Sequence, residues 1–393
     1  MKNIWCDNMS GDNDSVWMVG NNYNALFKLD FVTKEYEFIT KFPDEQIAKF
    51  RVNQLCKKIG NDIYFFPDCG DYIWTYSILD KSFKKIMLEN PNNVRIGINM
   101  VYQVGNSIYA ISNGLEQIIE INIDNQIIIG KYPIDESIQL YGSSSEGCVV
   151  NGNIFFTIPE KNTILEFNTK EKSIDKYEIL GEFFPQTICY AKNTFWLTGR
   201  TKEIVKWDPK TNQTVSLLDF PDTVGLLEFN NDTLVENTND IRFKRPLFRW
   251  SVSIDKKIWF IPYTANKMVY LNTNNYEIDV CDIESEYEDQ MSWSRIEKVK
   301  YRFECIFNGQ FIFLYSFKNR QYLIIDTVTG STDQVDIVLD NKSRRELYEC
   351  IYREKKVINE NESISVLDIL DIFVNIDEGT RNEDIGKRIY QSL

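Results

Sequence analysis

Apolar residues in this chain recur as a two-part unit that appears seven times: an apolar doublet or triplet, a polar break, and a second apolar stretch closing on Asn, Asp or, once, Ser. The first parts are Val16-Trp17-Met18, Ile63-Tyr64-Phe65, Ile108-Tyr109-Ala110, Ile154-Phe155-Phe156, Thr194-Phe195-Trp196, Ile258-Trp259-Phe260 and Phe311-Ile312-Phe313. The second parts begin ten residues after the first in six units and eleven in the last, from Leu26-Phe27-Lys28-Leu29-Asp30 to Tyr322-Leu323-Ile324-Ile325-Asp326. Apolar residues at consecutive positions predict strands covered on both faces, because a sheet with one wet face alternates. The closing Asn or Asp predicts a turn, since its side chain bonds backbone groups just ahead of it.

A third β-rich run follows each turn, as in Asp175-Lys176-Tyr177-Glu178-Ile179-Leu180, and a further strand precedes each first part, as in Gln54-Leu55-Cys56-Lys57-Lys58-Ile59. Four short strands at a pitch of about 45 residues predict a propeller blade. The chain is therefore expected to be all-β: a seven-bladed β-propeller of four-stranded blades over residues 1–340. Successive units are spaced 47, 45, 46, 40, 64 and 53 residues apart, which places insertions at about 222–245 and 285–301. Insertions that leave the strands in step belong in loops, where binding surfaces are commonly built. Residues 341–393 predict a short helical C-terminal extension packed on the propeller, with Arg344–Lys355 and Ile364–Phe373 at helical spacing. Two forms of ring closure stay open: the first blade supplies its own inner strand near Ile4 to Asp7, or the tail donates one.

Composition narrows the chemistry. A hydrophobic content of 43% with only 10 Pro and 18 Gly suits a large folded core. The formal charge of -14 opposes phosphate backbones and anionic lipid, so neither nucleic acid nor a membrane surface is an expected partner. The one basic run, Arg242, Lys244, Arg245 and Arg249, reads either as a local patch or as a solvated loop balanced by acidic neighbours. No apolar stretch near the start suits a signal peptide, and the eight cysteines never form a C-x-x-C pair, so a reducing cytoplasm is expected. Histidine is absent, which removes the commonest general base and metal ligand. Cys56, Cys148, Cys189 and Cys305 fall shortly before their first parts, on expected innermost strands, where they read as packing residues. No cofactor or metal is expected.

The forms Lys257-Ile258-Trp259-Phe260 and Ile204-Val205-Lys206-Trp207-Asp208-Pro209-Lys210-Thr211 resemble repeats of the kelch-like and streptogramin-lyase-like propellers across residues 15 to 340. The paired Gly of kelch repeats is missing. The resemblance to the lyases implies histidine beside a magnesium ion, and this chain has no histidine, so it carries over the architecture and no catalytic residue.

The break between the two parts of each unit is expected on one rim of the propeller. Tyr23, Asp68, Tyr72, Arg200, Tyr263, Lys267 and Arg320 lie there, and Trp293 and Arg295 lie in the second insertion. Tyrosine, tryptophan and arginine carry binding energy when they sit in a desolvated patch; each position also reads as an ordinary wet loop residue. The expected function is a non-catalytic binding or scaffolding propeller that presents this rim to a protein or other macromolecular partner. The alternative is a carbohydrate- or small-molecule-acting propeller enzyme that uses carboxylates such as Asp68, Asp71, Glu116 and Glu160 in place of histidine. No nucleophile elbow and no Gly-rich phosphate loop is present in the sequence.

Overall fold

In the computed structural model the seven units form seven separate four-stranded sheets, each antiparallel and built from consecutive strands. The structure describes residues 6–11, 15–20, 23–30, 33–47, 52–90, 94–135, 138, 140, 147–224, 247–263, 265, 267–281, 301–316, 321–335 and 339–358. Blade 1 holds β1 Cys6–Gly11, β2 Ser15–Gly20, β3 Ala25–Asp30 and β4 Tyr36–Lys41. Blade 2 holds β5 Asn53–Ile59, β6 Asp62–Pro67, β7 Tyr72–Ser77 and β8 Ser82–Met87. Blade 3 holds β9 Gly97–Val104, β10 Ser107–Asn113, β11 Gln117–Asn122 and β12 Ile127–Pro133. Blade 4 holds β13 Gly147–Val150, β14 Asn153–Ile158, β15 Thr163–Asn168 and β16 Ser173–Glu178. Blade 5 holds β17 Thr187–Ala191, β18 Thr194–Thr198, β19 Glu203–Asp208 and β20 Gln213–Asp219. Blade 6 holds β21 Phe248–Ile254, β22 Lys257–Pro262, β23 Met268–Asn272 and β24 Ile278–Cys281. Blade 7 holds β25 Tyr301–Phe307, β26 Phe311–Ser316, β27 Gln321–Asp326 and β28 Thr332–Val335.

The repeat maps directly onto the blades. First parts become second strands and second parts become third strands, and both are buried along most of their length. The fourth strands are different: β12 and β16 alternate or stay exposed, because they form the outer edge of the disc. Charges such as Lys131, Asp175 and Lys176 sit on these edges, where they discourage pairing with another chain. The closing residue of each third strand does what its chemistry predicts. Asp30 Oδ1 accepts from Thr33 N at 2.9 Å, Asn122 Oδ1 from Asn125 N at 2.9 Å, and Asn168 Oδ1 from Glu171 N at 2.9 Å. Asp208, Asn272 and Asp326 cap their turns in the same way, and Ser77 does so through its hydroxyl. At the hairpins between first and second strands, Asn151 and Gly152 adopt φ of 52° and 83°, the left-handed pair that a two-residue turn requires.

The core is divided among seams. Seven hydrophobic clusters occur among the described residues, and each draws its side chains from two adjacent blades. One of them joins Val16, Met18 and Phe27 of blade 1 to Phe313, Tyr315 and Tyr322 of blade 7, so the ring closes on itself. Large aromatics fill the seams, as where Phe42, Phe65, Trp74 and Phe83 meet with ring centroids 5.0 to 6.3 Å apart. Burying each such side chain contributes roughly 1.5–3 kcal/mol.

Closure takes the first of the two expected forms, with an addition. Blade 1 carries its own inner strand, β1, which pairs with β2. The chain leaving blade 7 then crosses to the outer edge of blade 1, where Leu339 forms a parallel bridge to Tyr36 and Asp340 N donates to Tyr36 O. The helix α1, Asn341–Ile358, starts there, capped by Asp340, whose carboxylate accepts from Lys342 N, Ser343 N and Ser343 Oγ. From its other end Glu354 accepts from Lys41 Nζ at 2.8 Å and Ile47 N at 2.7 Å. The second expected helix, Ile364–Phe373, lies outside the described residues. No helix among the described residues is long and apolar enough to cross a membrane.

Candidate functional site

Strand order fixes which end of the disc is elaborated. Because the four strands of a blade alternate in direction, the turn between second and third strands and the connection to the next blade share one face. Among the described residues the opposite face carries the tight turns just described. The strand ends that flank the two long connections, at Asp219 and Phe248 and at Cys281 and Tyr301, therefore lie on the same face as the turns holding Tyr23, Asp68, Arg200, Tyr263 and Lys267. Most of 222–245 and of 285–301 lies outside the described residues, as do Trp293, Arg295 and Arg320.

On the blade 1 to blade 3 side, the carboxylates act as staples. Asp68, buried in the turn of blade 2, is held by Arg95 of the following connection, with Nη2 to Oδ2 at 2.7 Å and Nε to the Asp68 carbonyl at 3.1 Å. Glu116 accepts from Gly114 N at 3.3 Å and Leu140 N at 3.0 Å, and Asp71 accepts from Asn90 Nδ2 at 3.4 Å. Glu45 accepts from Trp74 Nε1 at 2.6 Å and from Asn24, tying blade 1 to blade 2. These groups hold loops and blades in place rather than facing one another across a cleft. Tyr72 begins β7 with Lys85 Nζ 4.7 Å above its ring, and Tyr23 packs against the closing seam.

Blades 5 and 6 are arranged differently. Arg200 follows β18, fixed by its own N–H to Phe183 O at 2.9 Å, and its guanidinium lies 4.7 Å over the ring of Phe184. Its Nε and Nη1 are shielded from solvent and find no acceptor among the described residues. Burial draws its pKa below the ordinary value, with Glu160 opposing. In the neighbouring blade, Arg249 occupies the bulge between Phe248 and Trp250 on the inner strand β21. Its guanidinium lies 4.8 Å from the Trp250 ring and 5.3 Å from the Tyr263 ring. Arg249 Nε again has no acceptor among the described residues, and burial lowers this pKa too. Beside β17, the buried Gln186 presents Oε1 without a donor, and across the ring at the start of β5 the buried Asn53 Oδ1 does the same. Lys267, half-buried, precedes β23 on this face.

Arg249 corrects the solvated-loop reading of its basic run: it stands on a strand, stacked between aromatic rings. Arg242, Lys244 and Arg245 lie outside the described residues. One signal for Arg249 was present in the sequence, since a cation between Phe248 and Trp250 just ahead of a first part stands in an otherwise uncharged inner strand. Arg95 and Phe184 had no such signal. Cys56 is buried with Sγ to Trp17 O at 3.3 Å, Cys189 is buried in the seam of blades 5 and 6, and Cys148 is part-buried against the seam of blades 4 and 5; the Cys305 side chain lies outside the described residues. No group of three or more Cys, Asp or Glu side chains among the described residues is placed to hold a metal ion. A cavity of about 350 Å³ opens between the outer strands of blades 3 and 4, lined by Tyr132, Asp135, Leu165, Lys172 and Lys176 among others.

No family model and no curated protein matches the chain. Solved structures do. Virginiamycin B lyase from Staphylococcus aureus is 14% identical over 80% of this chain and 94% of its own, with a TM-score of 0.54. YCF48 bound to D1 peptide is 13% identical over 81% of this chain and 92% of its own, with a TM-score of 0.56. A chain of a mitotic checkpoint complex is 9% identical over 86% and 89%, with a TM-score of 0.50. At these identities the likeness is one of architecture, and the architecture is that of a streptogramin-lyase-like seven-bladed propeller.

Proposed function

We propose that this chain is a non-catalytic binding platform that receives a protein partner on the face carrying the turns between second and third strands and the two long connections. The observation that carries this reading is the presence on that face of polar groups with shielded atoms whose bonding is incomplete, Arg200, Arg249, Gln186 and Asn53, against the indole N–H groups of Trp17 and Trp259 nearer the other end. A buried donor or acceptor without a partner is costly, so a surface that keeps several is suited to having them met by something else. Of the carboxylates on which an enzymatic reading depends, Asp68, Asp71 and Glu116 are instead bonded to neighbouring connections, and Glu160 acts on Arg200. Lyase chemistry of the kind the resemblance implies calls for histidine, and none is present in the sequence. Propellers of this shape include one bound to a peptide, which supports a protein segment as the occupant.

The test is affinity purification of the tagged full chain from the cells it comes from, with mass spectrometry, beside the double variant Tyr263→Ala, Trp293→Ala. A stoichiometric partner that is lost in the folded variant is the expected result. A partner retained by the variant places the site elsewhere, and no partner at all overturns the reading in favour of a small-molecule or carbohydrate ligand.

A further inference from the structure

We infer that the blade 5 and blade 6 sector of this face is an oxyanion subsite, in which Arg200 and Arg249 take up carboxylate groups of an acidic peptide. This rests on the platform reading and names the chemistry of its partner.

An arginine does not escape burial by losing its proton, so its N–H groups must be met by acceptors or left wanting. Arg200 leaves Nε and Nη1 unmet among the described residues, and Arg249 leaves Nε unmet. Both guanidinium planes are already fixed by stacking, on Phe184 in one case and on Trp250 and Tyr263 in the other. Stacking satisfies the faces of the ion and leaves its N–H edge as the remaining point of recognition, and that edge matches a carboxylate in two parallel bonds. The inner strands β17 and β21 pack against each other, and both arginines stand at the same end of these neighbouring blades. Each side chain is part-buried and its unmet N–H atoms are shielded from solvent, so a ligand reaches them by displacing the residues packed over them.

Two observations favour a peptide carboxylate over phosphate. The chain carries a formal charge of -14, and its long-range repulsion grows with the charge of the ligand, so a singly charged group is opposed least. The sector also holds Gln186 Oε1, a buried acceptor lacking a donor among the described residues, which the regularly spaced N–H groups of a peptide chain are suited to meet. Glu160 acts electrostatically on Arg200, while Arg200 Nε and Nη1 and Arg249 Nε keep no acceptor among the described residues.

The experiment uses the full chain labelled with nitrogen-15 at arginine Nε, the signals assigned with Arg200→Lys and Arg249→Lys. It is titrated with a capped Glu-Ala-Glu peptide, the capped Gln-Ala-Gln peptide and inorganic phosphate. Saturable shifts of the Arg200 and Arg249 signals with the glutamate peptide, at a midpoint about tenfold or more below that of the glutamine peptide, are expected from the greater strength of charge-assisted bonds. No shift with the glutamate peptide, equal midpoints for the two peptides, or tighter binding of phosphate would each overturn the inference. Failure here is separable from failure of the platform. If the cellular partner is lost with Tyr263→Ala, Trp293→Ala but kept by Arg200→Gln, Arg249→Gln, the platform stands and the subsite falls.

Discussion

Replacing Glu120 by Gln is expected to weaken the seam between blades 3 and 4, and to do so in a pH-dependent way. Glu120 is buried in the third strand of blade 3 and accepts from Ser107 Oγ at 2.9 Å, Tyr109 OH at 2.9 Å, Tyr132 OH at 2.6 Å and Lys172 Nζ at 2.7 Å. Lys172 comes from the outer turn of the next blade, so the cluster crosses the seam. Burial on its own raises the Glu120 pKa, but the bonds from Lys172, Tyr132, Ser107 and Tyr109 outweigh it and hold the group at about 2, below its ordinary 4.5. A difference of that size corresponds to about 3 kcal/mol of stability at neutral pH. Because the folded value lies below the unfolded one, this contribution is complete above pH 4.5 and is lost as pH falls toward 2. Gln keeps the shape and loses the charge, leaving the Lys172 ammonium over the rings of Tyr109 and Tyr132 without its counterion.

Urea unfolding followed by tryptophan fluorescence at pH 7, 5 and 3 measures the gap between the two proteins. The expected loss at pH 7 is about 3–5 kcal/mol, narrowing at pH 3. The double variant Glu120→Leu, Lys172→Met should lose less than Glu120→Gln alone, since it leaves no stranded charge. A gap under about 1 kcal/mol at pH 7, or one that does not change with pH, refutes the reasoning.

Two further outcomes follow from the packing. Glu354→Ala removes the bonds to Lys41 and Ile47 that seat α1 on blade 1, and should cost about 1 kcal/mol while speeding amide exchange in α1 more than in the blades. Gly199→Ala places a Cβ 2.0 Å from the Phe183 carbonyl, so the turn holding Arg200 must shift; a loss of about 1–3 kcal/mol in chemical denaturation, with a moved Arg200 Nε resonance, is expected.

The architecture was legible because it is written in repeated local signals. Doubly covered strands such as Ile154–Phe156 need consecutive apolar residues, and each turn needs its Asn168 or Asp208, so both recur at a fixed offset. Ring closure was only half legible: β1 follows from the first unit, whereas the bridge from Leu339 to Tyr36 joins residues about 300 apart and leaves no periodic trace. The site was least legible. A charge within an apolar strand, such as Glu120 or Arg249, looks alike in sequence whether its partner stands on the next blade or is missing. Only the fold separates the two cases, pairing Glu120 with Lys172 and leaving Arg249 Nε without an acceptor among the described residues. Nothing near Asp68 in the sequence signals that Arg95, 27 residues on, turns it into a staple.

The central claim is that one face of the disc binds a partner. Hydrogen–deuterium exchange on the chain alone and on the complex recovered from its own cells tests it most directly. The account predicts new protection in peptides covering 183–187, 199–203 and 262–267, with the opposite turns at 60–61, 105–106 and 192–193 unchanged. Protection confined to those opposite turns, or to the outer strands, would contradict it.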